Sequence, residues 1–243
     1  MIKFFREIRY SLMEQNKTGK YLKYAIGEIV LVVIGILIAL SINTWNENRI
    51  NKNLEQELLS NLLSDVEVDI ENLKQLDSIS ELALIAKKRI LRYIKGEELS
   101  RDSVFYFFSK SGYTNKFNAT TITYDEMKNS DAFKIISSKE IRREIAVLYK
   151  QYEKVKTSEV WYFVGHSTLR DIRIENFSTG SLYEIGIGEI SKPDQVIDQI
   201  KTNRRFRNAL VSNYVSTQYE VYKESLEKAK QFKDKLSKYI KDD

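Results

Sequence analysis

Twelve consecutive residues near the start of the chain, Ile29 to Leu40 (IVLVVIGILIAL), carry no polar atom in any side chain. Such a run must be kept from water, by lipid or by protein. With Tyr24 and Trp45 at its ends it forms a helix of about 33 Å, enough to cross a hydrocarbon core of about 30 Å. A bare dozen apolar residues also suits a buried helix or the core of a signal peptide. Three features favour a span. Ala25, Ile26, Gly27 and Ile42 lengthen the run, broken only by Glu28 and Ser41. Tyr24 and Trp45 are aromatic anchors of the type found at headgroup level. The N-terminal flank is basic, with Lys3, Arg6, Arg9, Lys17, Lys20 and Lys23 against Glu7 and Glu14. The distal flank, NTWNENRINKN, is rich in amides. The positive-inside rule then places the N-terminus in the cytoplasm and residues from about 46 onward outside. The alternative is a cleaved signal peptide, since Ala39 and Ser41 form a small-x-small pair.

The expected organisation is a cytoplasmic basic amphipathic segment (1–23), a transmembrane helix (24–45) and an extracytoplasmic helical domain (46–243). Ile2, Phe5, Ile8 and Leu12 share one helical face, which suits a helix lying on the inner leaflet. Six cations against two acids in this segment supply four of the net five positive charges, so the large domain is nearly neutral. The basic balance therefore reports membrane topology, and no nucleic-acid partner is expected. Cysteine is absent, which removes disulfides and thiolate chemistry.

With one proline and nine glycines in 243 residues, long helices are favoured. Ile50, Leu54, Leu58, Leu62, Val66, Ile70 and Leu73 recur at helical spacing, and Ile79, Leu82, Ile85, Ile90 and Tyr93 carry the pattern on to a stop at Gly96. This stem continues the span unless Asn43, Asn46 and Asn48 break it. A short aromatic helix is expected around 103–109 and an irregular stretch over 110–122. Capping boxes at Thr123/Glu126 and Ser137/Glu140 open helices over about 124–136 and 139–174. The second buries Ile141, Ile145, Leu148, Tyr152, Val155, Tyr162, His166 and Leu169. Residues 176–191, with Gly180, Gly186 and Gly188, read as loop or weak hairpin. Pro193 opens a short helix, and Asn203 caps a final one running to Ile240, with Tyr214 and Thr217 on its inner stripe. The fold class expected is all-α: one N-terminal transmembrane helix followed by an elongated extracytoplasmic antiparallel helical bundle.

Several residues carry a resemblance. Tyr24, Gly27 and Glu28 before the apolar run, and Asn43, Trp45, Asn46 and Glu47 after it, are similar to the N-terminus of an uncharacterised, domain-of-unknown-function family of bacterial single-pass inner-membrane proteins. The stretch TYDEMKNSDAFKIISSKEIRREIAVLYKQY (123–152) resembles that family's middle segment, where members often carry Ser-Gly in place of Ser130-Asp131. The resemblance implies location and architecture, and no activity.

Candidate sites are few. Glu28, an acid at the edge of the apolar run, is either an interfacial carboxylate near the helix N-terminus or a group coupling the span to a partner or a proton. Gly27, Gly35 and Ala39 share a face suited to helix association. Trp161 and His166, with Tyr162 and Phe163, either line a pocket or fill the core. One histidine without cysteine builds no zinc site. Asp65, Glu67, Asp69 and Glu71 lack the spacing of a metal loop, and no glycine-rich phosphate loop is present. No cofactor is expected. The expected function is a non-catalytic scaffold or sensor in a bacterial inner membrane, with the bilayer, a second copy, or an unidentified membrane or extracytoplasmic protein as partner. The alternative is an accessory subunit of an ion-driven motor or transporter that uses Glu28.

Overall fold

The computed structural model of the chain describes residues 6, 10, 18–112, 115–176 and 193–242. Apart from residues 6 and 10, the expected amphipathic helix over 2–14 lies outside the described residues, as does the glycine-bearing stretch 177–191. Those described form helices and no strand. The helices are α1 (Thr18–Ile94), α2 (Arg101–Lys110), α3 (Ile122–Asn129), a 3-10 turn (Ala132–Lys134), α4 (Lys139–Asn176), α5 (Pro193–Thr202), α6 (Arg204–Ser212) and α7 (Val215–Asp242). The chain divides into two compact units, Met1–Glu55 and Gln56–Asp243.

In the first unit α1 passes the asparagines without interruption. Asn43 donates to Glu47 at 2.7 Å and Asn46 accepts from Arg49 at 3.2 Å, so their amides bond along the helix surface and do not compete for its backbone. Every side chain from Ile29 to Leu40 is exposed. This is the one helix among the described residues long and apolar enough to cross a membrane.

The second unit holds the core. On α1, the residues at 59, 62, 66, 69, 73, 76, 80, 83, 87 and 90 are all buried. Their spacing alternates three and four, the seam of a helix packed along its length by others. Leu62, Val66 and Leu73 meet Ile145, Leu148 and Val155 of α4 and Ala229, Phe232 and Leu236 of α7 in the main apolar cluster. Helices α4 and α7 run antiparallel. Glu159 pairs with Tyr222, Gln151 with Ser225 and Glu144 with Lys235, one register rising as the other falls. Phe105 and Phe108 of α2 join Phe206 and Leu210 of α6 in a second cluster, so these aromatics fill the core. Gly96, at φ 107°, ends α1. The Glu97 and Gly96 amides turn back to the Arg92 and Tyr93 carbonyls at 3.0 and 3.1 Å, the Schellman arrangement.

Four local expectations are corrected. Helix α3 begins at Ile122, and Thr123 makes no cap; its N–H is accepted by Asp65 Oδ2 at 3.1 Å, from another helix. Ser138 rather than Ser137 caps α4, accepting the Ile141 N–H at 3.2 Å, while the Ser137 hydroxyl meets that of Tyr239. The helix expected over 124–136 stops at Asn129, because Asp131 takes the left-handed conformation at φ 59°. That is a geometry glycine adopts at least cost, at the position where relatives were expected to carry it.

The last correction is the largest. The single final helix is broken at Asn213 and Tyr214, leaving Tyr214 and Thr217 exposed. Asn203 does cap its first part, accepting the Phe206 N–H at 2.8 Å. The break is made by Lys87, whose buried ammonium donates to Val211 O, Asn213 O and Asn213 Oδ1 at 3.2, 3.0 and 3.1 Å. A cation thus satisfies the carbonyl end of α6. Arg173 does the same for α2. Its guanidinium is buried, donates to Phe108 O and lies 4.0 Å from the Phe108 ring centroid. Burial pulls it down to about 10, still charged at neutral pH.

Candidate functional site

The connection between α2 and α3 has no regular structure over 115–121, so its backbone polar groups need partners elsewhere. Side chains from three helices supply them. Asp69 of α1 accepts the Thr120 N–H at 2.7 Å. Tyr149 of α4 donates to Thr120 O at 3.0 Å. Glu159 of α4 accepts the Phe117 N–H at 2.7 Å. Tyr222 of α7 reaches both Asn115 O at 3.1 Å and Glu159 Oε1 at 2.6 Å. The segment is held as one wall of a groove of about 590 Å³, whose other walls are α3 and α4. That is within the range that takes small ligands.

The spacing of α4 explains its contribution. Tyr152, Lys156, Glu159 and Phe163 recur every three or four residues and share one face, all on the groove. The floor is aromatic. Tyr124 stacks on Tyr149 with centroids 3.8 Å apart, while Tyr149 and Phe117 meet Tyr152 edge-on at 5.5 and 5.0 Å. Lys116 places its ammonium 4.6 Å from the Phe163 ring centroid. Asp125, Lys128 and Glu153 complete a rim of both signs. A smaller hollow of about 350 Å³ shares Lys116 and Asn118 with the groove and reaches Asn72 and Gln75 of α1.

Beneath the floor the electrostatics are unusual. Asp69 is fully enclosed. Burial pushes its carboxyl up to about 6, against the lowering effect of the Thr120 N–H. The buried Tyr152 hydroxyl lies close enough to Asp69 to oppose part of that rise. Burial likewise pushes the Tyr149, Tyr152 and Tyr222 hydroxyls up, aided by neighbouring acids, so all three stay protonated, and Tyr149 and Tyr222 serve as donors. At the α4–α7 contact, hydrogen bonds from Lys154 and Lys228 hold Glu224 down at about 2. Among the described residues no three His, Asp or Glu side chains converge as metal ligands.

Of the residues expected from sequence to form sites, Phe163 lines the groove and the others lie elsewhere. Glu28 is half-buried in the first unit. Open space surrounds Gly27 and Gly35, and Ala39 is exposed. Tyr24 lies within α1. Trp45 is exposed, with the Arg49 guanidinium 5.8 Å from its ring. Trp161 is exposed and outside the groove. His166 is half-buried beside Tyr162 and Phe163, with Nδ1 buried and unpartnered. Burial and the nearby Arg173 and Arg170 keep it below the usual histidine range, hence neutral. The groove itself was not foreseen. Its sequence signals are Phe163 and Asp69, the one polar residue on the seam between Leu59 and Leu76.

An exposed apolar helix in one unit and a pinned, aromatic-floored groove in the other define the chain as a helical protein that carries a candidate membrane span and a candidate ligand site. The family of unknown function DUF6090 matches residues 28–162, more than half of the chain, and the chain belongs to that family. The match takes in Glu28, the apolar run, Asp69, the connecting segment and the groove face of α4 as far as Glu159. It stops before α7. No curated protein and no solved structure matches the chain.

Proposed function

We propose that this chain is a single-pass inner-membrane protein whose extracytoplasmic helical bundle binds a ligand or protein without catalysing a reaction, as a membrane-anchored sensor or scaffold. The apolar run supports the anchor, since its side chains from Ile29 to Leu40 are exposed. The basic segment before it supports a cytoplasmic N-terminus. The groove carries the binding part. Four side chains are committed to fixing its wall, an arrangement that preorganises a site at the cost of burying acids.

Absence of cysteine makes the test direct. A single cysteine at Asn118, exposed on the groove rim, should react with a membrane-impermeant maleimide in intact cells. One at Lys3 should react only after permeabilisation. The opposite pattern defeats the topology. A photo-crosslinker at Asn118 should then capture a defined partner or ligand, and Tyr124→Ala should abolish capture if the groove is the site.

A second reading is favoured by Glu28, an ionisable group at the edge of the apolar run: an accessory subunit of an ion-driven motor or transporter. Glu28→Gln separates the two. An anchored binder tolerates it, because the amide keeps size and hydrogen bonding. A coupled subunit loses function while still inserting.

A further inference from the structure

Glu159 is the most constrained acid in the groove. It is 5 % exposed. Its Oε1 takes two hydrogen bonds, from the Phe117 N–H and the Tyr222 hydroxyl. Its Oε2 takes none, and is not sealed away, so it opens onto the groove that Glu159 lines. Among the described residues no cation lies within ion-pair distance of this carboxylate. A nearly buried carboxylate ordinarily has a cation beside it.

What surrounds Oε2 shows what would complete it. Phe163 stands one turn further along the same face of α4, and an aromatic ring face attracts ammonium groups. The chain itself supplies an example, the Lys116 ammonium at 4.6 Å from that ring centroid. The other acids of the rim, Asp125 and Glu153, are exposed and solvated. Lys156 follows Glu153, and Lys128 follows Asp125, each by three residues on its helix. Glu159 is thus the one buried acid lining the groove, and Phe163 the ring beside which an ammonium already sits.

We propose that the groove binds a primary alkylammonium group, hydrogen-bonded to Glu159 Oε2 and lying over Phe163, in place of the Lys116 side chain. The N–H donors serve the carboxylate, the alkyl stem runs along the aromatic floor, and the groove volume suits a free polyamine. A lysine side chain presented by another molecule has the same chemistry. The proposal rests on the groove being the binding site of the anchored protein, and it names the ligand class.

The test is titration calorimetry on the full chain in detergent, with spermidine, Nα-acetyl-lysine methylamide and tetramethylammonium as probes. Spermidine should bind, and tetramethylammonium, which has no N–H, should bind at least about tenfold more weakly. Binding of the lysine analogue as tightly as spermidine assigns the site to a presented lysine; weaker binding assigns it to a free polyamine. Glu159→Gln should weaken spermidine at least about tenfold. Lys116→Ala should tighten it by about threefold or more, because a tethered competitor at millimolar effective concentration is gone. Absence of spermidine binding, equal binding of tetramethylammonium, or no change on Glu159→Gln overturns the proposal. If Glu159→Gln fails to fold, Lys116→Ala and Phe163→Leu decide: tighter binding in the first and weaker in the second supports it, and any other pair of results overturns it. Capture through Asn118 that persists while no amine binds sinks this inference and leaves the anchored-binder reading standing.

Discussion

At the scale of single residues, the buried acids of the second unit determine how stability depends on pH. Asp69, with its carboxyl raised from 3.8 to about 6 by burial, takes up a proton in the folded state before the unfolded chain does. Its ionised form therefore destabilises the fold, and its contribution improves as pH falls from about 6 to about 4, by about 1–3 kcal/mol after allowance for screening. Asp77, raised by burial and by Glu81, works in the same direction. Glu224 works in the other: its stabilisation is complete above about 4.5 and is lost as pH falls toward 2. Asp65 on α1 and the Tyr149 and Tyr152 hydroxyls are the titratable groups bearing on Asp69, and the tyrosines do not titrate in this range. Asp69→Asn keeps the acceptor for the Thr120 N–H and removes the charge. Thermal melts of the full chain in detergent should show the wild type losing stability relative to Asp69→Asn between pH 4.5 and 7. An identical pH slope in the two proteins would refute this account. Asp69 was legible in the sequence as an acid in an acidic run. Its burial was not, because the stripe traced there passed through Ile70, its neighbour on the chain, and missed the three-four seam that includes it.

Among the elements, the long helices followed from periodicity, and their ends followed only where the signal was local. Gly96 and Asn203 act through their own backbone neighbourhood, so both stood out in the sequence. Thr123 failed as a cap because Asp65, 58 residues earlier, takes its amide. The break between α6 and α7 is of the same kind. Nothing between Asn203 and Ile240 forbids a continuous helix, and the interruption comes from Lys87, 126 residues before Asn213. A specific test follows. Lys87→Met keeps the stem and its packing but removes the donor, leaving two carbonyls and an amide oxygen unsatisfied in a buried place. The loss should be about 1–3 kcal/mol, and hydrogen exchange should quicken first around Asn213 and in the last turn of α6. A variant as stable as the wild type, with exchange there unchanged, would show that the break has another cause.

At the scale of the whole molecule, the division into Met1–Glu55 and Gln56–Asp243 separates two solutions to the burial of apolar surface. The second unit closes its seams on each other: Leu62, Leu73, Ile145, Leu148, Phe232 and Leu236 are each at most 2 % exposed. The first does not, with Ile29, Leu31, Leu37 and Leu40 each above half exposure. A contiguous apolar surface of that kind needs lipid, a second chain or removal by processing. A fragment beginning at Leu54 should accordingly be soluble without detergent, strongly helical by circular dichroism, and cooperative in unfolding, since its core uses none of the apolar run. The full chain should remain in the membrane fraction through carbonate and high-salt washes. An aggregated or poorly helical fragment would mean that the second unit depends on the first. A mature protein beginning near Ile42 by mass spectrometry would show that the apolar run is a cleaved leader, and the groove would then belong to a released protein.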